Sequence, residues 1–475
     1  MHTKVLLAAS TLAGSAAAAT VHGAVVFTRH GDRTTKWYKA QALTSLGAEQ
    51  NRQVGSAFRE RYLSADSENR ILGISEDKYT SSQIFASAPN QGILLNTATS
   101  FLQGFYPPLE DINPEIASQE LNNGSTSTSP LGGYQYVIVN GIDDASPETV
   151  WIKGDDSCPE YTKSSKAFAN SDVFKQRDEA TRDFYEGFYD ILSPGVYNIK
   201  PEDMTYANAY EIFDLINVAK IYNATSPARN VSDETLSQLR TLADSNEHGS
   251  NYNASEPVRS VGAKTLSGVV LRQLNATVAS KASKPKFSLL AGSYDTFLAF
   301  FGISGLLDVS TDFYGLPEYA SAMTFELFTE GDSDAFPSNP DADLRVRWLF
   351  RNGTAGNLTG FPLFGTEEMS LPWPRFVSEV EKQAITNVGD WCTTCASTED
   401  FCAAYKEDVD TTASSSGNGG ISKTIAGVIG AMVTLGVVTL VGAVAFVLRK
   451  KQRSACVAEK SSVRSGSTDG TPSRV

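Results

Sequence analysis

Five consecutive residues, Arg29-His30-Gly31-Asp32-Arg33, put one imidazole between two guanidiniums. Arginine forks match phosphate oxygens, and two adjacent cations keep a histidine neutral and nucleophilic at mildly acidic pH. The constellation asks for a phosphoryl group. A strand-end histidine beside two solvated arginines is the bland alternative and would be preferred for an isolated histidine. The tight spacing favours chemistry. The preceding run, Gly23 to Thr28, is apolar and β-branched. It reads as a buried strand that delivers its last residues to the rim of a sheet, where open α/β folds bind ligands.

The stretch Phe27-Thr28-Arg29-His30-Gly31-Asp32-Arg33-Thr34-Thr35 resembles the N-terminal signature of the histidine acid phosphatases. These form the branch of the phosphoglycerate-mutase-like superfamily that includes phytases. The resemblance implies that His30 takes the phosphoryl group as a phosphohistidine and that Arg29 and Arg33 hold its oxygens. Where the family usually has proline, two residues after the second arginine, this chain has Thr35. Residues 287–299 resemble the second signature, in which a His-Asp pair precedes Thr and an apolar helix; here the pair is Tyr294-Asp295. In the family the histidine binds phosphate and the aspartate protonates the leaving group. Asp295 therefore matches the acid, whereas Tyr294 offers a single neutral hydrogen bond. Taken alone, Asp295 reads as a helix N-cap. The family's third element, an arginine after the second strand, falls on Gln91 or Ile93, and no arginine occurs between Arg70 and Arg177. Each lost transition-state donor is worth about 3 kcal/mol, so two losses slow phosphoryl transfer by several orders of magnitude. His248 falls in a polar stretch that reads as a loop.

The elements that must position these groups follow from periodicity. After the signature, Leu43 to Gly47 opens a helix with Val54, Phe58 and Tyr62 on one face. Residues 83–87 read as a second strand, and 94–102 as a helix that ends at Gly104. Residues 109–170 form an irregular insertion with an isolated strand-like run at 134–139. Residues 172–281 turn helical, with breaks at Pro194, Pro201 and the polar stretch 244–253. Strand signals return at 287–291, 322–328 and 345–350. The fold class is α/β, with core segments 20–108 and 282–407 and an insertion and mostly helical cap at 109–281. The resemblance implies a three-layer phosphoglycerate-mutase-like core with the cap over its active site.

Both ends carry processing signals. Residues 1–19 combine Lys4, an apolar stretch and Ala17-Ala18-Ala19, which reads as a signal peptide cut near Ala19. Residues 408–423 form a Ser/Gly-rich stalk. Residues 424–448 are 25 in number and carry no charge. As a helix they span roughly 37 Å, enough for a hydrocarbon core of about 30 Å. Arg449-Lys450-Lys451 and Arg453 follow, which places the tail 449–475 in the cytoplasm and argues against a removed lipid-anchor signal. The chain's net charge is −14. The tail contributes +5 and Lys4 +1, so the exported part carries about −20. That argues against nucleic acid as a ligand. Cys158, Cys392, Cys395 and Cys402 lie in the exported part and suit two disulfides; Cys456 lies in the tail. Seven Asn-x-Ser/Thr sequons, at Asn123, Asn223, Asn230, Asn253, Asn275, Asn352 and Asn357, fit a secreted glycoprotein.

The expected protein is a single-pass type I membrane phosphomonoesterase with its ectodomain outside the cell or in a secretory or vacuolar lumen. It acts on a phosphorylated small molecule with His30 as nucleophile and Asp295 as acid, with no metal or organic cofactor. The alternatives are a pseudophosphatase that binds phosphorylated ligands without turnover and a purely structural surface glycoprotein. Protease added to intact cells or sealed vesicles is expected to spare only an epitope in 449–475. Digestion of that epitope from outside would overturn the topology.

Overall fold

The computed structural model describes residues 19–39, 41–192 and 197–405. Its centre is a mixed eight-stranded sheet. In chain order the strands are β1 (Ala19–Arg29), β2 (Ile84–Pro89), a separate exposed hairpin of β3 (Ser118–Glu120) and β4 (Thr126–Thr128), then β5 (Asn140–Ile142), β6 (Phe287–Gly292), β7 (Ala322–Glu330), β8 (Leu344–Arg351), β9 (Thr359–Phe361) and β10 (Leu371–Pro372). The sheet order is β10-β8-β7-β1-β6-β2-β5, with β9 on β8. β1, β6, β2 and β5 run parallel, whereas β7 and β8 continue the sheet antiparallel.

Alternation along β1 divides its side chains between two cores. Val25 and Phe27 face one side with Leu290 and Phe325, while Ala24 and Val26 face the other with Phe287 and Leu289. The longer helices are α1 (Ser45–Tyr62), α2 (Gly92–Phe105), α3 (Pro159–Ala167), α4 (Asp172–Glu186), α5 (Ala209–Tyr222), α6 (Asp233–Asn251), α7 (Val261–Ala279), α8 (Tyr294–Ile303), α9 (Trp373–Glu381) and α10 (Val388–Cys395). α1 starts where Thr44 accepts a hydrogen bond from Gly47 N at 3.0 Å. Its Val54, Phe58 and Tyr62 and the Phe101 and Phe105 of α2 cover the second face, with Phe105 stacked on Phe287 at 4.2 Å. Leu266 and Val270 of α7 belong to the first core. The sheet is thus sandwiched between helical layers, and the strands 287–291, 322–328 and 345–350 appear within a residue or two of their expected bounds.

Two expectations are corrected. The run 134–139 is not a strand: Tyr136 and Ile138 are exposed, and the segment is pinned instead by buried Gln135. Gln135 accepts from Tyr79 N at 2.7 Å and donates to Asp77 O and Pro107 O at 2.8 and 2.9 Å. Side-chain bonds have replaced a strand ladder. The polar stretch 244–253 does not break its helix, because most of it completes α6. Asp244 pairs with Arg240 one turn earlier at 2.8 Å, and buried Asn246 donates to Tyr206 O at 3.0 Å. His248 therefore lies on a helix, its ring tilted against that of Tyr314 with centroids 4.8 Å apart.

The four expected cysteines form two bridges, Cys158–Cys395 and Cys392–Cys402. The Cys-x-x-Cys residues 392 and 395 do not bond to each other, because they occupy the same helix, α10, and reach different partners. None of the seven sequon asparagines is buried. Among the described residues no helix is long and apolar enough to cross a membrane; residues 1–18 and the expected span 424–448 lie outside the described residues. The bridges close loops of 237 and 10 residues. Chain entropy then assigns about 5 kcal/mol to the first and about 3 to the second. Serine at both Cys158 and Cys395 is expected to lower the denaturant midpoint more than serine at both Cys392 and Cys402. The reverse order would show that local strain outweighs loop closure.

Candidate active site

β1 and β6 are neighbours and parallel, with Arg29 opposite Gly292. Their ends therefore deliver His30 and the Tyr294-Asp295 pair to the same edge of the sheet. β2, on the other side of β6, delivers Gln91 to the same rim.

The signature loop is held by α1. Gly31 N donates to Asn51 Oδ1 at 2.7 Å, and Asn51 Nδ2 donates to Arg29 O at 3.1 Å. Loop and helix touch backbone to backbone, since a Cβ on Gly31 would stand 2.2 Å from Gly47 O. Only glycine fits there. His30 is buried, and its Nδ1 lies 2.8 Å from Gly31 O. A carbonyl can only accept, so Nδ1 carries the proton and Nε2 keeps its lone pair. Burial, then the guanidiniums of Arg29 and Arg33, hold the imidazole well below its usual pKa.

His30, Arg33, Tyr294 and Asp295 line one cavity of about 480 Å³ together with Gln91 and Ile93, the two positions at which the third arginine was sought. Arg29 does not line it. Its guanidinium lies between the rings of Tyr294 and Tyr319, at 5.1 and 4.6 Å, and donates to Pro317 O. From there it borders a separate cavity of about 220 Å³.

Arg33 is tied down within the site. Its Nη1 lies 3.1 Å from Asp214 of α5, its Nη2 donates to Tyr210 at 2.8 Å, and its Nε has no partner. Burial opposes the charge of Arg33, but Tyr210 and Asp214 raise its pKa overall. The same Asp214 carboxylate accepts from Thr35 Oγ1 and from Lys36 N, each at 2.8 Å. Thr35, the departure from the family's proline, thus supplies a hydroxyl donor to a buried anion. Replacing Asp214 by alanine would leave a buried guanidinium unpaired, at a cost of about 3–5 kcal/mol.

Two lysines that the sequence reading passed over, Lys36 and Lys39, line the cavity. Lys36 Nζ lies 3.2 Å from Tyr294 Oη and over the rings of Tyr210 and Tyr294. The signal was available, as Lys36 stands three residues after Arg33 on the same short loop. Glu247 of α6 acts on Tyr294 as well; burial pushes it up to about 7 against the pull of Lys36. Tyr294, raised well above 10 by burial and Glu247, stays neutral. Asp214 was missed too, although a lone acid inside the run Ile212-Phe213-Asp214-Leu215-Ile216 is a sign of a buried pair.

Asp295 sits in the first turn of α8, where its Oδ1 accepts from Thr296 N at 2.9 Å. Asp295 is therefore a first-turn residue and not the N-cap, which is Ser293, and it lines the cavity. The assembled groups are a neutral imidazole, two lysines and an arginine, a neutral phenol and a carboxyl group. They can bind a phosphoryl group, attack it and protonate its leaving oxygen.

Solved structures share this architecture at low sequence identity. Klebsiella sp. ASR1 phytase aligns with a TM-score of 0.51 at 12% identity, over 77% of this chain and 96% of its own. The phytase of D. castellii aligns at 0.51 and 14%, over 85% and 87%. Hafnia alvei phytase in complex with myo-inositol hexakis sulphate aligns at 0.51 and 12%, over 80% and 98%. These likenesses concern the fold. No curated protein sequence matches the chain. The sequence profile of the histidine phosphatase superfamily, branch 2, matches residues 35–351, starting just after the Arg29–Arg33 loop. With two thirds of its length inside that match and the β1, β6 and β2 ends gathered round His30, the chain belongs to the histidine phosphatase superfamily (branch 2).

Proposed function

We propose that the protein hydrolyses phosphomonoesters of small molecules through a phosphohistidine on His30, slowly compared with members that keep the full set of cations. The observation that carries this reading is the Nδ1–H donation to Gly31 O, which leaves Nε2 free on a residue that lines the same cavity as Asp295. Nε2 attacks phosphorus, Asp295 protonates the departing oxygen, and water then cleaves the phosphohistidine. Arg33, Lys36 and the Tyr294 hydroxyl serve the phosphoryl oxygens. Arg29 contributes at longer range through its field on His30. Loss of the second histidine and the middle arginine removes two charged donors, which supports weak turnover.

A second reading is a phosphate-binding pseudophosphatase. The capture of Arg33 by Asp214 and the tyrosine at 294 favour it. The proposed setting is unchanged from the sequence: a glycosylated ectodomain outside the cell or in a secretory or vacuolar lumen, anchored by 424–448, with no nucleic-acid partner and no metal or organic cofactor.

Hydrolysis of a chromogenic phosphate by the purified chain separates the two readings. His30→Ala is expected to cut turnover by about a thousandfold or more. Tyr294→His is expected to raise it by roughly a hundredfold, the worth of one restored donor. Because the pKa of His30 is lowered, the nucleophile stays unprotonated, and activity persists, to well below pH 6.5. An acid limb with its midpoint near 6.5, or full activity without His30, would contradict the reading. Phosphate protection against unfolding without any turnover would select the pseudophosphatase.

A further inference from the structure

A cavity of about 660 Å³ shares no lining residue with the catalytic one. Its walls include Val173 and Arg177 of α4, Thr241 and His248 of α6, Tyr314, and Asn352 just past the end of β8. Val173 is 57% exposed and Tyr314 44%, so two apolar surfaces stand open among hydroxyls, an amide and charged groups. The ring of Tyr314 is braced by that of His248. Apolar faces set among polar groups suit a sugar, whose rings offer C–H faces and hydroxyl edges.

Asn352 begins the sequon Asn352-Gly353-Thr354, and of the seven sequon asparagines it is the one in this wall. The fold aims its amide. Glu318 N donates to Asn352 Oδ1 at 2.8 Å, and Ser321 Oγ donates to the same oxygen at 3.0 Å. A backbone N–H can only donate, so the atom facing Glu318 is the oxygen, and Nδ2 is the end of the exposed amide left for modification. The Oδ1 atoms of Asn123, Asn223 and Asn253, by contrast, accept from residues of their own turns. We propose that Asn352 carries an N-glycan whose first two sugars, the chitobiose, lie in this cavity against Tyr314 and Val173. The inference rests on the secretory setting proposed above and is independent of catalysis at His30.

Attachment needs a lipid-pyrophosphate-linked oligosaccharide. Nδ2 bonds to its anomeric carbon as the bond from that carbon to the pyrophosphate breaks, and the amide gives up one proton. Pockets of roughly 300–1,000 Å³ hold compact ligands, and a covalent tether at the wall gives the sugar a high effective concentration there. The docked glycan also meets a junction. Leu316 N donates to Asp244 of α6 at 2.9 Å, Arg240 of α6 pairs with Glu318 at 3.2 Å, and Pro317 O, between them, accepts from Arg29. Leu316, Glu318, Arg240 and Asp244 all line the cavity, so the glycan touches both α6 and the loop that holds Arg29.

The test uses the full chain from a host that builds high-mannose glycans, treated while folded with an endoglycosidase that cuts within chitobiose. Mass spectrometry follows each sequon separately. Asn352 is expected to be occupied and to be trimmed at least about tenfold more slowly than the other occupied sequons, with the difference lost after unfolding. In Tyr314→Ser the glycan at Asn352 is expected to be trimmed as fast as the others. Equal trimming in the folded natural chain would overturn the proposal even if the variant failed to fold. So would an empty Asn352 beside occupied sequons, or slow trimming that persists in Tyr314→Ser. No glycan at any of the seven sites would overturn it together with the secretory setting.

Discussion

The parallel pairing of β1 with β6 is the constraint on which the site depends. Residues 29 and 292 are separated by most of the chain, yet the ladder sets them side by side, so whatever follows each strand shares one rim. In parallel sheets the strand ends that face the same way are also the ends from which helices start, and His30 and the Tyr294-Asp295 pair both lie within three residues of their strands' ends. A one-residue slip would turn Val25 and Phe27 out of one core and Ala24 and Val26 out of the other. The two apolar faces therefore fix the register, and the register fixes the chemistry.

Charge in the cavity is arranged by burial more than by number. Arg33 meets a buried carboxylate that also takes two donors from the Thr35–Lys36 segment, so Asp214 sets the path of the signature loop as well as neutralising its second arginine. The consequence for phosphate is mixed: Arg33 is preorganised, but part of its donor capacity is committed. Lys36, a point charge on a flexible stem, stands in the cavity with its Nζ 3.2 Å from Tyr294 Oη.

Much of this was legible in the chain itself. The β1, β6, β7 and β8 runs were visible as short stretches rich in apolar residues, and the Arg-His-Arg and Tyr-Asp stretches marked which strand ends matter. What stayed hidden depended on long-range partners. The direction of Arg29 is set by Tyr294, Tyr319 and the Pro317 carbonyl, which only the fold brings together. The polar residues of α6 looked like a break because propensity was read without Arg240 and Tyr206, the partners that satisfy Asp244 and Asn246. The 134–139 run misled for the opposite reason, as its β-branched and aromatic residues found no edge to pair with.

The account turns on His30 acting as a nucleophile through Nε2. The most direct measurement is to mix the purified chain with a radiolabelled aryl phosphate, quench in alkali, which preserves phosphohistidine, and map the label by mass spectrometry. Label on Nε2 of His30, absent from His30→Ala, is the predicted result. Turnover without any label on His30, or label on another side chain, would contradict it.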